Sequence, residues 1–202
     1  MNAPSRGLFG WMLFDWANQP FYTLILTFIF APYFAASVAP DPATGQALWG
    51  AAAATAGVLV ALLSPALGAI ADRTGARKSW ILAFSLPYLA GCLGLWFAVP
   101  GASPLWPLLL CFGLAYAGSE FTILFNNAML PDLGTRAEIG RISGSGWALG
   151  YVGGLVSLII VLTLMAPAPD STRTLIGLPP ILGLDPASGG PARATGPLSA
   201  LW

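Results

Sequence analysis

The sequence predicts an all-α membrane protein, and its composition and its apolar segments both support that fold class. Hydrophobic residues make up 56% of the 202 residues, charged residues make up 8%, and the mean hydropathy is +0.75. A soluble domain carries about 25% charged residues. Five apolar segments each reach the roughly 20 residues that a helix needs to cross the hydrocarbon core of a bilayer. We therefore expect five complete transmembrane helices in contact with lipid.

The five segments form one predicted bundle, which occupies residues 1–166. They cover residues 8–38, 47–71, 79–99, 105–130 and 143–166. The first segment is too long and too interrupted for a cleaved signal peptide, so we expect it to remain in the mature protein. A Pro- and Gly-rich segment at 167–197 predicts an irregular loop. Residues 198–202 predict the start of a sixth helix that the chain does not complete.

The loop charges predict the orientation of the bundle. Basic residues precede the first helix and occupy the loops after the second and fourth helices, whereas the loops at 39–46 and 100–104 have none. By the positive-inside rule, the N-terminus lies in the cytoplasm and residues 167–197 lie outside the cell membrane. The basic residues that carry this pattern are Arg6, Arg73, Arg77, Lys78, Arg136 and Arg141.

Several functional classes are disfavoured by what the chain contains. The net charge is zero and there is no basic run, so nucleic acid is not an expected partner. There is no histidine, and Cys92 and Cys111 lie in apolar runs, so we predict no metal site and no cofactor. No nucleophile motif or plausible aspartyl pair points to an intramembrane hydrolase, and we do not expect an enzyme.

Asp15 and Glu120 are carboxylates within the predicted spans. A charge at the centre of a membrane helix costs about 3 kcal/mol on insertion scales, so it is usually retained only where it faces a cavity, a partner charge or a transported solute. These acids favour a membrane transport protein with a cavity that binds a small solute or a proton. The candidate cavity residues are Asp15, Asn18, Tyr22, Tyr116, Glu120, Asn126 and Asn127. The alternative for both acids is a structural polar network.

Small residues recur along one face of the second predicted helix and one face of the fifth. Membrane helices approach each other closely along such faces. The pattern predicts either ordinary bundle packing or surfaces that slide, because the second and fifth helices are equivalent in a three-plus-three inverted repeat. The second helix carries Gly50, Ala54, Gly57, Ala61, Ser64 and Gly68, and the fifth carries Gly146, Gly150, Gly153, Gly154 and Ser157.

The loop between the second and third helices has the most specific pattern in the chain. Asp72 lies at a helix C-terminus, where the macrodipole disfavours an acid, so it needs cationic partners. We expect a charge cluster of Asp72 with Arg73, Arg77 and Asp132. A simple orientation signal explains the cations but not the spacing of glycine and aspartate.

This loop resembles the signature loop of the major facilitator superfamily. In that loop a glycine, an aspartate four residues later, an arginine and a second glycine lead into basic residues. Ala76 departs from the pattern, and Arg77 is the candidate replacement for the usual basic residue. The resemblance implies that the loop acts as a gate, formed by Gly68, Asp72, Arg73, Gly75, Arg77, Lys78, Asp132 and Arg141.

Residues 14–18, 126–133 and 140–154 resemble the branch that includes the vacuolar amino-acid effluxers of fungi and their bacterial relatives. The resemblance implies twelve helices in two halves around a central cavity, with this chain as the N-terminal half and the C-terminal half missing. It also implies alternating-access transport of small solutes, with amino acids, efflux and a coupling proton or ion as its finer expectations. The alternative is a non-transporting small membrane protein or partner subunit.

Overall fold

The computed structural model describes residues 5–169 and 171–202, and it is all-α within those ranges. Five helices there are long and apolar enough to cross a membrane, which confirms the predicted fold class. They are α1 (Gly7–Val38), α2 (Pro42–Thr74), α3 (Arg77–Phe97), α4 (Trp106–Asp132) and α5 (Ile139–Met165). The predicted bundle at 1–166 and the predicted loop at 167–197 include residues 1–4 and 170, which lie outside the described residues.

α1 changes its helical form directly after Pro20. The α-helical stretch that contains the start of α1, Ser5–Pro20, gives way to a π-helical part at Phe21–Phe28. After a short α-helical turn at Phe30–Tyr33, α1 ends in a second π-helical turn at Phe34–Val38. Proline has no backbone N–H to donate to the preceding turn, so the regular hydrogen-bond ladder is interrupted here. π-helical segments are rare and are frequently found at functional sites. Tyr22, a candidate cavity residue, lies in this segment.

α2 begins earlier than the predicted residue 47 because its start is set by a cap. The Asp41 side chain accepts a hydrogen bond from the Thr44 backbone N–H at 2.9 Å, and Pro42 occupies the first helical turn. Both features are helix-start signals that hydropathy does not detect. α2 ends at Thr74, and the residue that follows, Gly75, has a φ of +65°, the left-handed conformation that favours glycine.

α4 and α5 also have ends that differ from the predicted bounds. α4 is α-helical over Trp106–Ala128 and ends in a 3₁₀ turn at Leu130–Asp132. α5 begins at Ile139 instead of residue 143, and its last turn, Val161–Met165, is π-helical.

Helical structure at the C-terminal end begins before the predicted residue 198, which corrects both that start and the end of the predicted loop at 197. Two short helices are present, α6 (Gly190–Arg193) and α7 (Thr195–Leu201). Arg193 donates through Nε to the Trp96 carbonyl at 2.7 Å, and its guanidinium lies 4.6 Å from the centre of the Trp96 ring. Hydropathy missed this start because the contact of Arg193 with the end of α3 fixes the segment.

Glycines set the closest helix contacts of the bundle. α3 packs against α4, where a Cβ at Gly118 would lie 2.7 Å from the Tyr88 backbone nitrogen. α5 packs against α1 along the predicted small face. α2 packs against α4, but not through its predicted small-residue face. At this contact the rings of Trp49 and Phe112 stack. This arrangement leaves α1, α4 and α5 around one cavity.

Candidate functional site

A cavity of about 360 Å³ is lined by α1, α4 and α5, within the spans of these helices. Small-molecule sites have volumes of about 300–1,000 Å³, so this space suits a small solute. The wall combines two carboxylates, two amides and three aromatic rings with glycine and isoleucine. The lining residues are Asp15, Gln19, Tyr22, Glu120, Ile123, Asn127, Trp147, Gly150 and Tyr151.

The α1 side of the cavity is formed by Asp15, Gln19 and Tyr22. They are four and three residues apart, the spacing that places side chains on one helix face. Asp15 and Tyr22 are among the candidate cavity residues from the sequence, and Gln19 is not. The signal for Gln19 was its position one turn after Asp15.

The α4 side carries Glu120 and Asn127, and its acid is held by α1. The Tyr22 hydroxyl donates to Glu120 Oε1 at 2.8 Å. Oε2 of the same carboxylate has no hydrogen-bond partner in the described part of the chain. Glu120 therefore has one oxygen fixed by the protein and one available to a ligand.

Asn18 lies beside this cavity and does not line it. The Ser119 hydroxyl is 3.1 Å from Asn18 Oδ1 and 3.1 Å from the Tyr22 hydroxyl, so it joins the two side chains. Asn18 is only 7% exposed, and its Nδ2 has no partner among the described residues. Asn18 therefore helps to position Tyr22 through Ser119, on the side of Tyr22 away from the cavity. This is the role expected of a structural polar network.

Asp15 is packed against the glycine face of α5. A Cβ at Gly146 would lie 2.9 Å from Asp15 Oδ2, and a Cβ at Gly150 would lie 3.2 Å from Asp15 Cβ. The Asp15 carboxylate makes no hydrogen bond or ion pair with any described residue. A structural network therefore accounts for Glu120 in part, but not for Asp15.

Tyr116 and Asn126 are placed elsewhere than the cavity wall. Tyr116 packs edge-on against Phe21 and Phe112 in the core. The Asn126 carbonyl accepts a 2.7 Å hydrogen bond from Trp11 Nε1, and the Asn126 side chain is 2% exposed. Asn126 ties α4 to α1, and it has no surface toward a solute.

The α5 side of the cavity contains two aromatic residues that the sequence analysis did not propose for the site. Trp147 and Tyr151 are one turn apart, and their ring centres are 6.0 Å apart. Both side chains are exposed, at 60% and 61%. Their spacing of four residues, with Gly150 between them, was the available signal.

The predicted charge cluster forms around Arg77. Its guanidinium lies 3.1 Å from Asp72 and 2.6 Å from Asp132, so it connects the start of α3 to the end of α2 and to the end of α4. Arg73 and Lys78 have no ion pair within 4.0 Å in the described ranges, whereas Arg141 lies 3.7 Å from Glu138. Gly68 has no neighbour that a Cβ would touch.

Two acids outside the spans have lowered pKa values. The Thr135 hydroxyl and backbone N–H, which donate to Glu138 Oε2 at 2.7 and 3.0 Å, lower the pKa of Glu138. The Thr44 side chain and backbone N–H lower the pKa of Asp41 in the same way. Asp41 is exposed and Glu138 is partly exposed, and they belong to helix starts rather than to the cavity.

Comparisons with known proteins give one informative similarity. The chain is 29% identical over 169 residues to the uncharacterized MFS-type transporter YxiO of Bacillus subtilis (strain 168). The match covers 80% of this chain, and the chain spans 38% of the length of that relative. No family model matches the chain, and no solved structure matches it significantly. The similarity to YxiO supports membership in the major facilitator superfamily, and the name of that relative specifies no solute.

Proposed function

We propose that this chain is the N-terminal half of a secondary active transporter of the major facilitator superfamily, which moves small solutes across the membrane by alternating access. The cavity between α1, α4 and α5 carries the proposal, because it brings Asp15 and Glu120 together on its wall. The five apolar helices and the similarity to YxiO support it. No observation favours the alternative of a non-transporting membrane protein.

Asp15 is the residue whose free-energy cost in the membrane points most directly to a ligand. A carboxylate inside a membrane span costs about 3 kcal/mol on insertion scales, and this one gains no hydrogen bond or ion pair from the described chain. Burying Asp15 in the membrane costs free energy, and no contact within the described chain offsets that cost. Binding of a ligand by Asp15 best explains why the residue is there. We propose that this ligand is the solute, a coupling proton or ion, or both in turn.

The finer parts of the proposal come from the sequence. The resemblance of residues 14–18, 126–133 and 140–154 to the effluxer branch supports efflux of amino acids, or of solutes that share their amino group. We also propose location in the inner cell membrane, and the loop charges support an orientation with a cytoplasmic N-terminus and residues 167–197 outside. A C-terminal half would supply the other wall of the cavity.

We propose that the cluster of Arg77, Asp72 and Asp132 is the cytoplasmic gate. It joins three helices, α2, α3 and α4, through partly exposed ion pairs, and such pairs contribute about 0–1 kcal/mol each. Contacts of that strength are suitable for a connection that breaks and forms again in each transport cycle.

The test is transport by the complete gene product in proteoliposomes with Glu120→Gln. The amide keeps the side-chain volume and still accepts the hydrogen bond from Tyr22. We expect loss or uncoupling of transport, with little change in thermal stability. Asp41→Asn is the control, because this acid caps the start of α2 outside the cavity, and it should leave transport unchanged.

A structural role for Glu120 predicts the opposite pattern. In that case Glu120→Gln would lower the unfolding temperature and leave residual transport with an unaltered pH profile. Wild-type transport and a wild-type pH profile in the folded variant would contradict the assignment of Glu120.

A further inference from the structure

We infer that the solute of this cavity is an organic cation, whose ammonium group binds between Asp15 and Glu120 next to the rings of Trp147 and Tyr151. The inference rests on the proposed transport function and specifies the substrate class of the same site. It follows from the charge balance of the wall, from the hydrogen bonding of the two acids and from the aromatic residues of α5.

The charge balance of the wall is negative. Two of the nine lining residues are acids, and none is Lys or Arg. The basic residues of the chain lie outside the interior of the described spans, at their ends or in the segments between and after them. Among the described ion pairs, Arg77 is held by Asp72 and Asp132 at the end of the bundle. The described chain therefore offers these two carboxylates no positive partner at their own level.

The hydrogen bonding of the acids prepares them for a cation. Tyr22 fixes Glu120 through Oε1, and Oε2 of Glu120 and both oxygens of Asp15 have no donor among the described residues. An ammonium group has only donors, so it matches oxygens that need donors. Hydrogen bonds between a charged amine and a carboxylate are also stronger than those between neutral groups.

The aromatic wall favours the same ligand. Trp147 and Tyr151 line the cavity with their rings tilted by 55° to each other. The faces of tryptophan and tyrosine rings attract cations, with tryptophan the strongest. An amine that reaches the acids from this side would pass these faces.

A solute carboxylate has no corresponding partner. The lining donors are the Gln19 and Asn127 amides, the ring N–H of Trp147 and the tyrosine hydroxyls, and none of them carries a charge. An amino acid would place its carboxylate near two acids without a compensating cation. We therefore expect an amine to bind more tightly than the amino acid of the same shape.

The experiment compares three probes that share a phenyl ring and a short chain. Phenethylamine is the cation, 3-phenylpropanoate is the anion, and phenylalanine carries both groups. Binding is measured by equilibrium dialysis on the complete gene product in lipid nanodiscs. We expect phenethylamine to bind at least about tenfold more tightly than either of the other probes.

The variants test which acids bind the amine. Glu120→Gln and Asp15→Asn should each weaken phenethylamine binding by about tenfold, and neither should weaken 3-phenylpropanoate binding. Glu138→Gln and Asp41→Asn make the same chemical changes outside the cavity and should leave the affinity unchanged. The unfolding temperature of each variant shows whether it is folded.

Three results would overturn the inference. They are equal or tighter binding of phenylalanine or 3-phenylpropanoate, wild-type amine affinity in folded Glu120→Gln and Asp15→Asn, and no saturable amine binding to the folded protein. Transport of phenylalanine without amine binding would overturn this inference and leave the proposed function intact. Amine binding without transport of any solute would support the inference and contradict the proposed function.

Discussion

The small-residue faces of α5 and α2 look alike in the sequence and have different surroundings in the structure. On α5, a Cβ at Gly153 would lie 2.8 Å from the Trp16 carbonyl oxygen, and one at Gly154 would contact Thr23. On α2, Gly50, Gly57 and Gly68 have nothing within 4 Å of such a Cβ. The same pattern is thus a filled contact in one helix and an open face in the other.

Small residues along a membrane helix therefore predict a close contact but not the partner in that contact. α5 packs against α1 within the described chain. This contact places Asp15 of α1 next to Gly150 of α5, and both residues line the cavity. We expect a second half of the proposed transporter to cover the open face of α2. The glycines of α5 therefore shape the candidate site, whereas those of α2 do not contribute to it.

The largest expected effect is that of Gly153→Leu on stability. The added side chain meets backbone at Trp16, which cannot move without separating α1 from α5. We expect the free energy of unfolding to fall by about 1–3 kcal/mol, as for other overpacked interiors. Thermal unfolding of the 202-residue chain in detergent measures it.

Gly57→Leu in the same chain is the matched control, since the space around Gly57 is open. Its free energy of unfolding should stay within about 0.5 kcal/mol of wild type. In the complete transporter, Gly57→Leu should be destabilising, because the face would be covered. Equal losses for Gly57→Leu and Gly153→Leu in the 202-residue chain would remove the distinction between the two faces.

Asp72→Asn tests how α2 is attached at its cytoplasmic end. The Asp72 side chain, which pairs with Arg77, is 62% exposed. Loss of this ion pair should therefore change the free energy of unfolding by about 1 kcal/mol or less. We expect a larger effect on the transport rate of the complete protein, since the pair belongs to the proposed gate. Transport kinetics and unfolding temperature are measured on the same samples. Normal kinetics would reduce the loop to an orientation signal.

The smallest expected effect concerns the start of α2. Thr44 lowers the pKa of Asp41 in the folded state, so this contribution to stability is present above the unfolded pKa and is lost as the pH falls through the folded pKa. Asp41→Asn keeps a side chain that can cap the helix but removes the titration. The variant should therefore lose less stability than wild type between about pH 5 and pH 3. Identical acid profiles would show that Asp41 does not contribute.

The sequence predicted the helices better than their ends. Hydropathy located five spans, because a helix that crosses lipid must be apolar along its length. It missed the start of α2, which a polar cap determines, and the start of α6, which Arg193 fixes on Trp96. These ends depend on particular polar contacts that average hydropathy does not represent.

The candidate site was predictable in part. Four of the seven candidates from the sequence, Asp15, Tyr22, Glu120 and Asn127, line the cavity, whereas Asn18, Tyr116 and Asn126 do not. The sequence did not distinguish Asn18, which contacts Ser119, from the residues that line the cavity. Trp147 and Tyr151 on α5 were not predicted for the site. They line the cavity because α5 packs against α1, and that packing is a tertiary contact that the spacing of residues does not reveal.

The most direct test of the account compares one position on each helix for access to water. Tyr151 on α5 and Val58 on α2 are similarly exposed, at 61% and 58%. Each is replaced by Cys in a background with Cys92 and Cys111 changed to Ala, and the complete protein in nanodiscs is labelled with a charged maleimide. Since the thiolate is the reactive form and apolar surroundings disfavour it, Tyr151→Cys should react at least about tenfold faster. Equal rates, or faster labelling of Val58→Cys, would contradict an aqueous solute cavity between α1, α4 and α5.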